Sequence, residues 1–176
     1  MNYCSACGAS IIVRIPAGDT LPRHCCDTCG QIHYLNPKIV VGCMPEADDG
    51  RLLLCRRAIE PRSGFWTMPA GFMENGESVT EAAQRETLEE ACARVELLGL
   101  STIASVVRVN QVHMMYRARL LDGEYGVGDE SLEVRLFDEA DIPWDELAFR
   151  SVTAAFKHFL EDRSNGVFST HHVDLR

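Results

Sequence analysis

GFMENGESVTEAAQRETLEEACA, residues 71–93, is the stretch from which the rest of the chain can be read. A glycine-rich loop, Met73-Glu74-Asn75-Gly76, precedes a segment from Ser78 to about Ala91 that contains neither Gly nor Pro and is rich in Glu and Ala. Such side chains lose little freedom in a helix, so the composition predicts one here. On a helix Glu86 and Glu90 stand one turn apart, and Glu89 lies three residues from Glu86. The three carboxylates therefore share a face, where they repel one another unless something positive is present. Arg85 sits among them, eight residues after Glu77, placed to tie loop to helix by an ion pair. Taken alone, a glutamate stripe also fits a solvated surface helix; the glycine loop and the embedded arginine argue for a site.

Upstream, Ile39 to Met44 and Leu52 to Cys55 are apolar runs separated by Asp48-Asp49-Gly50, a hairpin signal. Pro61 to Gly64 reads as a loop, and Thr67 to Gly71 as a short extended piece. Downstream, parts of Val95 to Val109, Val112 to Leu121 and Leu132 to Phe137 read as strands. Ser151 to Asp162 has helical apolar spacing at Val152, Ala155, Phe156 and Phe159. The tail after Asn165-Gly166 can hold one last strand, although His171-His172 equally fits an exposed end. Mixed elements of this kind predict the α/β class, with no internal repeat.

Five of the 8 cysteines fall within the first 29 residues. Cys4-x2-Cys7 and Cys26-x2-Cys29 form two knuckles with 18 residues between them, a spacing that suits tetrahedral zinc. A strand-like piece, Ser10 to Ile15, lies between the knuckles. Residues 1–36 thus read as a separate small zinc module, and 37–176 as the main domain, joined at Asn36-Pro37. A module of this size buries too little surface to fold unaided, which a metal staple would remedy. Cys25 is an alternative to Cys26, and iron an alternative to zinc. Between Cys4 and Tyr34 the only basic residues besides His24 and His33 are Arg14 and Arg23, so a structural role for the metal is favoured over nucleic-acid docking. Cys43 and Cys55 sit in apolar runs as small core residues.

The 176 residues are 46% hydrophobic and 24% charged, as in ordinary globular proteins. A net charge of −9 weighs against nucleic acid as a partner. No apolar run approaches the roughly 20 residues of a membrane-spanning helix. The start lacks the features of an export signal, so the expected location is the cytoplasm or an organelle matrix.

Gly71-x5-Glu77-x7-Arg85-Glu86-Thr87-Leu88-Glu89-Glu90 resembles the Nudix box, G-x5-E-x7-R-E-U-x-E-E-x-G-U, where U is bulky and apolar. Thr87 replaces the first U, and Cys92-Ala93 replace the closing Gly-U, which leaves the helix exit in question. A zinc ribbon before a Nudix domain is the layout of NADH-pyrophosphatase-like members. The stretches Gly64 to Gly71 and Glu130 to Glu133 look more like plant FAD pyrophosphohydrolases. The resemblance implies an α/β/α sandwich with a mixed sheet. It also implies hydrolysis of a pyrophosphate bond with magnesium or manganese. Glu86, Glu89 and Glu90 would be the ligands, helped by the Gly71 carbonyl, with Arg85 and Glu77 orienting the helix. The general base is either a box glutamate or one on a distant loop. Glu130 is the outside candidate for base and further ligand, against the reading that it is an ordinary loop acid. Trp66 and Phe72 either stack on a substrate ring or pack in the core.

The resemblance implies a nucleotide diphosphate substrate, FAD or ADP-ribose. The downstream signature of NADH-cleaving relatives is absent between Ser101 and Val109. The rivals are NAD(H) hydrolysis, a nucleotide-cap hydrolase acting on RNA, and a nucleotide-sensing domain without catalysis. Homodimerisation is a further expectation from resemblance.

Overall fold

A computed structural model describes residues 1–176. The chain divides into two compact units, Met1–Asn36 and Pro37–Arg176. The first carries a three-stranded antiparallel sheet in the order β1 (Ile12–Arg14), β2 (Arg23–Cys25), β3 (Ile32–His33). Only β1 falls within a strand-like stretch of the sequence, Ser10 to Ile15; β2 (Arg23-His24-Cys25) and β3 (Ile32-His33) carry no apolar run to mark them.

The second unit is built on β4 (Lys38–Glu46), β5 (Leu52–Arg57), β6 (Trp66–Thr67), β7 (Ala70–Phe72), β8 (Val95–Val106), β9 (Gln111–Leu120), β10 (Ser131–Phe137) and β11 (His171–Leu175). These form one mixed sheet in the order β10-β5-β4-β9-β8-β11, with β6 added to β5 and β7 to β4. The β4–β9 and β8–β11 pairs are parallel, and the remaining pairs antiparallel. The expected hairpin between β4 and β5 exists only at its tip, where Glu46 faces Leu52. Beyond that pair the strands part, β7 pairing with β4 at Val40 to Gly42 and β6 with β5 at Cys55 and Arg56. Gly42 permits this fork: a Cβ there would lie 2.4 Å from both the Ala70 Cβ and the Pro69 carbonyl.

Helix α1 (Val79–Ala91) packs on one face of the sheet and α2 (Arg150–Asn165) on the other. Period-2 alternation shows in β5: Leu52 and Leu54 join the core under α2 with Phe156 and Phe159, while Leu53 and Cys55 join Ala91 and Ala93 on the α1 side. Because both faces are covered, the strand reads as an unbroken apolar run. Trp66 is buried in the α2-side core against Phe137, which places it in packing rather than stacking. The tail is not a loose end. His171 Nε2 lies 2.9 Å from the Asp162 carboxylate on α2, and β11 extends the sheet alongside β8.

The two ends of α1 are set in different ways. Ser78 is the N-cap, its hydroxyl accepting from the Glu81 N–H while the Glu81 carboxylate accepts from the Ser78 N–H. At the other end Cys92 adopts φ 47°, ψ 29°, a left-handed cap normally given to glycine. The helix exit is therefore kept despite the missing glycine, with Ala93 buried beneath it. Thr87, in place of a bulky residue, donates its hydroxyl to the Ala83 carbonyl at 2.7 Å and meets the Cys43 sulfur at 2.8 Å. Left-handed geometry costs a side-chain-bearing residue on the order of 1 kcal/mol. Cys92→Gly is expected to stabilise the fold by about that amount, read as a higher urea midpoint at constant slope; an unchanged midpoint would refute the strain.

Candidate active site

Arg85 organises the box residues. Its guanidinium makes five hydrogen bonds: Nε and Nη2 to Glu77 at 3.0 and 2.8 Å, Nη2 to the Phe72 carbonyl at 3.1 Å, and Nη1 to Glu86 and Glu89 at 2.8 and 3.0 Å. A planar fork of donors matches this task, which a lysine could not perform. The Arg85 contact holds the Glu77 carboxyl down at about 2, helped by the Glu74 N–H that it also accepts. The Arg85 pKa rises in turn, chiefly through the bond to Glu77.

The three glutamates of the stripe do not all take the same environment. Glu86 and Glu90 are buried and line a cleft of about 770 Å³. Glu89 stays exposed on the Arg85 side and does not line it. Burial raises the Glu86 pKa, with Arg85 opposing and Glu89 and Glu130 adding to the rise. Burial pushes Glu90 up to about 7 against the lowering effect of the Ala70 N–H, which its Oε2 accepts at 3.0 Å. Gly71 lies against this pair: a Cβ there would stand 2.3 Å from the Glu86 carboxyl group. The loop between β7 and α1 can approach the acids only because that residue has no side chain.

Glu130 lines the same cleft from the loop before β10. The glycines ahead of it form a fitted cap on α1. The Gly126 N–H donates to the Ala91 carbonyl at 2.7 Å and the Gly128 N–H to the Glu90 carbonyl at 3.1 Å. The Ser131 hydroxyl adds a bond to the Glu90 carbonyl at 2.8 Å. A Cβ on Gly128 would lie 1.8 Å from the Glu89 carbonyl oxygen. The last carbonyls of α1, which have no helical partner, are thus satisfied by the segment that carries Glu130. Glu86, Glu90, Glu130 and the Gly71 backbone together offer hard oxygen donors of the kind that magnesium or manganese prefers. These carboxylates do not form a closed cluster of the kind that the four cysteines make.

Of the remaining wall residues, the sequence singles out only Phe72. Arg57, Arg108, Arg150 and Arg176 line the cleft, and none of them is in a salt bridge. The Arg57 guanidinium lies 5.2 Å from the Phe149 ring centroid, forming a flat cation–aromatic surface. Phe72 is half exposed at the rim, within 5.1 Å of the Lys38 ammonium. His113, on β9, is buried in the wall with Gln111 and Ser151 beside it. These residues come from separate elements, with no sequence spacing to flag them.

In the first unit the sulfurs of Cys4, Cys7, Cys26 and Cys29 lie within 4.8 Å of one another. Cys25 is turned away, its thiol directed at the Arg14 and Arg23 carbonyls. The Cys29 backbone N–H and the Cys7 and Cys29 thiols hold the Cys26 thiol down at about 6, while within the same cluster the Cys7 and Cys29 thiols are pushed up by their neighbours.

The NUDIX domain profile matches residues 36–158, and the Nudix N-terminal profile matches residues 2–35. An ADP-ribose pyrophosphatase from Methanocaldococcus jannaschii is 36% identical over 121 residues, covering 66% of this chain and 69% of that protein. An NAD-capped RNA hydrolase, NudC, from Chromobacterium violaceum is 36% identical over 97 residues, covering 55% of this chain but only 34% of that protein. Among solved structures, a NUDIX hydrolase from Nitrosomonas europaea superposes with a TM-score of 0.93 at 50% identity, covering 99% of both chains.

The contact at Gly128 supplies a direct check on the cap. Gly128→Ala forces a methyl group into a backbone carbonyl and is expected to cost about 3 kcal/mol. Urea denaturation measures this, and a variant as stable as the parent would mean that the loop does not press on α1.

Proposed function

The chain belongs to the Nudix hydrolase family, and from that premise we propose that it hydrolyses the pyrophosphate linkage of a nucleoside diphosphate-linked small molecule, ADP-ribose first and FAD second. One observation carries the reading: two buried carboxylates one turn apart, Glu86 and Glu90, share a cleft with Glu130 and with arginines free of acidic partners. Glu86 has Arg85 against it, but Glu90 is buried with no cation within salt-bridge distance, a costly placement for an anion that a divalent cation would relieve. The pressed-in Gly71 backbone and the oxygen-only donor set fit such an ion.

Glu86, Glu90 and Glu130 with the Gly71 carbonyl would hold magnesium or manganese, with Glu89 at the rim. When bound, the ion neutralises diphosphate charge, polarises phosphorus and lowers the pKa of an attacking water. Arg85 keeps Glu86 and the loop in register through its bonds to Glu77 and Phe72. Glu130, on a separate loop from the helix acids, accepts the proton of the attacking water in this reading. Arg57 and its unpaired neighbours offer donors to the phosphate oxygens, and the Arg57–Phe149 surface offers a platform for a ring. The M. jannaschii relative supports ADP-ribose, and the likeness to plant FAD pyrophosphohydrolases supports FAD. The NudC relatives favour a capped-RNA reading, against which stands the net charge of −9. In the first unit Cys4, Cys7, Cys26 and Cys29 would hold one structural zinc.

A panel of ADP-ribose, FAD, NAD and capped RNA, assayed with magnesium or manganese and with products identified, tests the assignment. Turnover of ADP-ribose or FAD is expected, and its absence with both metals would discard the proposal. Glu90→Gln is expected to lower kcat on the order of a thousandfold with little change in melting temperature; retained activity would remove Glu90 from the machinery. Metal analysis by mass spectrometry is expected to find one zinc per chain and its loss in Cys26→Ser. An equal zinc content in the two proteins would refute the thiol site.

A further inference from the structure

The cleft wall opposite the acids holds a buried hydrogen-bond chain that the proposed chemistry does not use. Ser151 Oγ, on the first turn of α2, lies 2.9 Å from His113 Nδ1, and His113 Nε2 lies 2.9 Å from Gln111 Oε1. Ser151 and His113 are 2% and 7% exposed, so both are sealed from bulk water. Burial also lowers the His113 pKa, favouring the neutral ring. A carboxamide oxygen can only accept, so Nε2 carries the ring hydrogen and Nδ1 accepts from the serine hydroxyl. The Gln111 carboxamide is held by its oxygen, and its Nε2 hydrogens have no acceptor within the protein. Gln111 is half-buried and lines the same cleft as Glu86, Glu90 and Glu130.

We propose that Gln111 is a specificity-determining residue, its amide locked by His113 and Ser151 as a hydrogen-bond donor to the sugar or base of the substrate, beyond the diphosphate. The ligand class is a nucleoside diphosphate conjugate whose sugar or ring presents an oxygen or ring-nitrogen acceptor to that wall. A free glutamine side chain would offer oxygen and nitrogen with equal ease and discriminate poorly. With its oxygen engaged by His113, the amide hydrogens are the groups left without a protein partner, and an acceptor is favoured over a donor there. His113 and Ser151 are positioning residues, acting through Gln111 rather than on the ligand. The inference rests on the hydrolase reading above for the identity of its probe.

The experiment compares KM and kcat for ADP-ribose with the inhibition constant of inorganic pyrophosphate, which carries neither sugar nor base. Gln111→Leu is expected to raise KM about 10-fold, to leave kcat within about twofold, and to leave pyrophosphate inhibition and melting temperature unchanged. His113→Phe is expected to raise KM similarly, and the double variant to be no worse than either single one, because both remove the same interaction. An unchanged KM in Gln111→Leu overturns the proposal, as does a parallel rise in the pyrophosphate constant, which would place Gln111 at the diphosphate. If the unaltered protein does not hydrolyse ADP-ribose, the hydrolase reading fails by itself. Calorimetric binding of ADP-ribose then judges Gln111 separately: weaker binding by the leucine variant upholds its role, and equal binding overturns it.

Discussion

A single guanidinium group holds the acidic pole of this protein together. Three glutamates and a backbone carbonyl converge on Arg85, and without it the buried Glu86 would be left beside the Glu89 and Glu130 carboxylates with no positive charge against it. The arginine also draws Glu77 in from the loop, which sets where Gly71 meets the helix. Loop, helix and carboxylates are therefore one electrostatic unit. The sheet beneath supplies the rigid base, because α1 rests on buried alanines, Ala82, Ala83 and Ala91, that bring it close to the strands.

The sequence pattern exposes this unit well because its parts are close in the chain. A helix face can be computed from spacing, and Arg85–Glu77 falls at a spacing that a loop-to-helix bond requires. The long strands β8, β9 and β10 announce themselves by apolar content. What escapes is whatever depends on distant segments meeting. The fork between β4 and β5 is invisible in a sequence that reads as an ordinary hairpin, since the inserted β6 and β7 are two and three residues long. The opposite wall of the cleft comes from the ends of β5, β8 and β9, the start of α2 and the end of β11. No local rule would gather Arg57, His113 and Ser151. Spacing also cannot tell that Glu89 would stay in solvent while its neighbours are buried, because helical periodicity gives direction around an axis and not what lies in that direction.

Close backbone approaches recur where chemistry is expected. Gly42, Gly71 and Gly128 each stand where a methyl group would collide with a neighbour, and Cys92 holds a conformation that suits glycine better than cysteine. The first three let main chain reach main chain or carboxylate at the acidic pole. Cys92 is different in kind, because the cap on α1 is imposed by the surrounding bonds from Gly126 and Gly128 and not chosen by the residue. Tertiary context overrides a poor local preference there.

That cap and the carboxylates are read from one rigid rod, and this restricts how the gene can drift. Inserting or deleting one residue between Glu77 and Cys92 would rotate everything beyond it by about 100°. Glu90 would leave the cleft, and the carbonyls that receive the Gly126 and Gly128 N–H groups would turn away together. Substitutions on the outward side, at Gln84 or Leu88, leave this phase untouched. Related sequences should accumulate gaps freely around Asp122 and Glu124, where the chain is exposed, yet preserve the length from residue 77 to residue 92 even where the letters change.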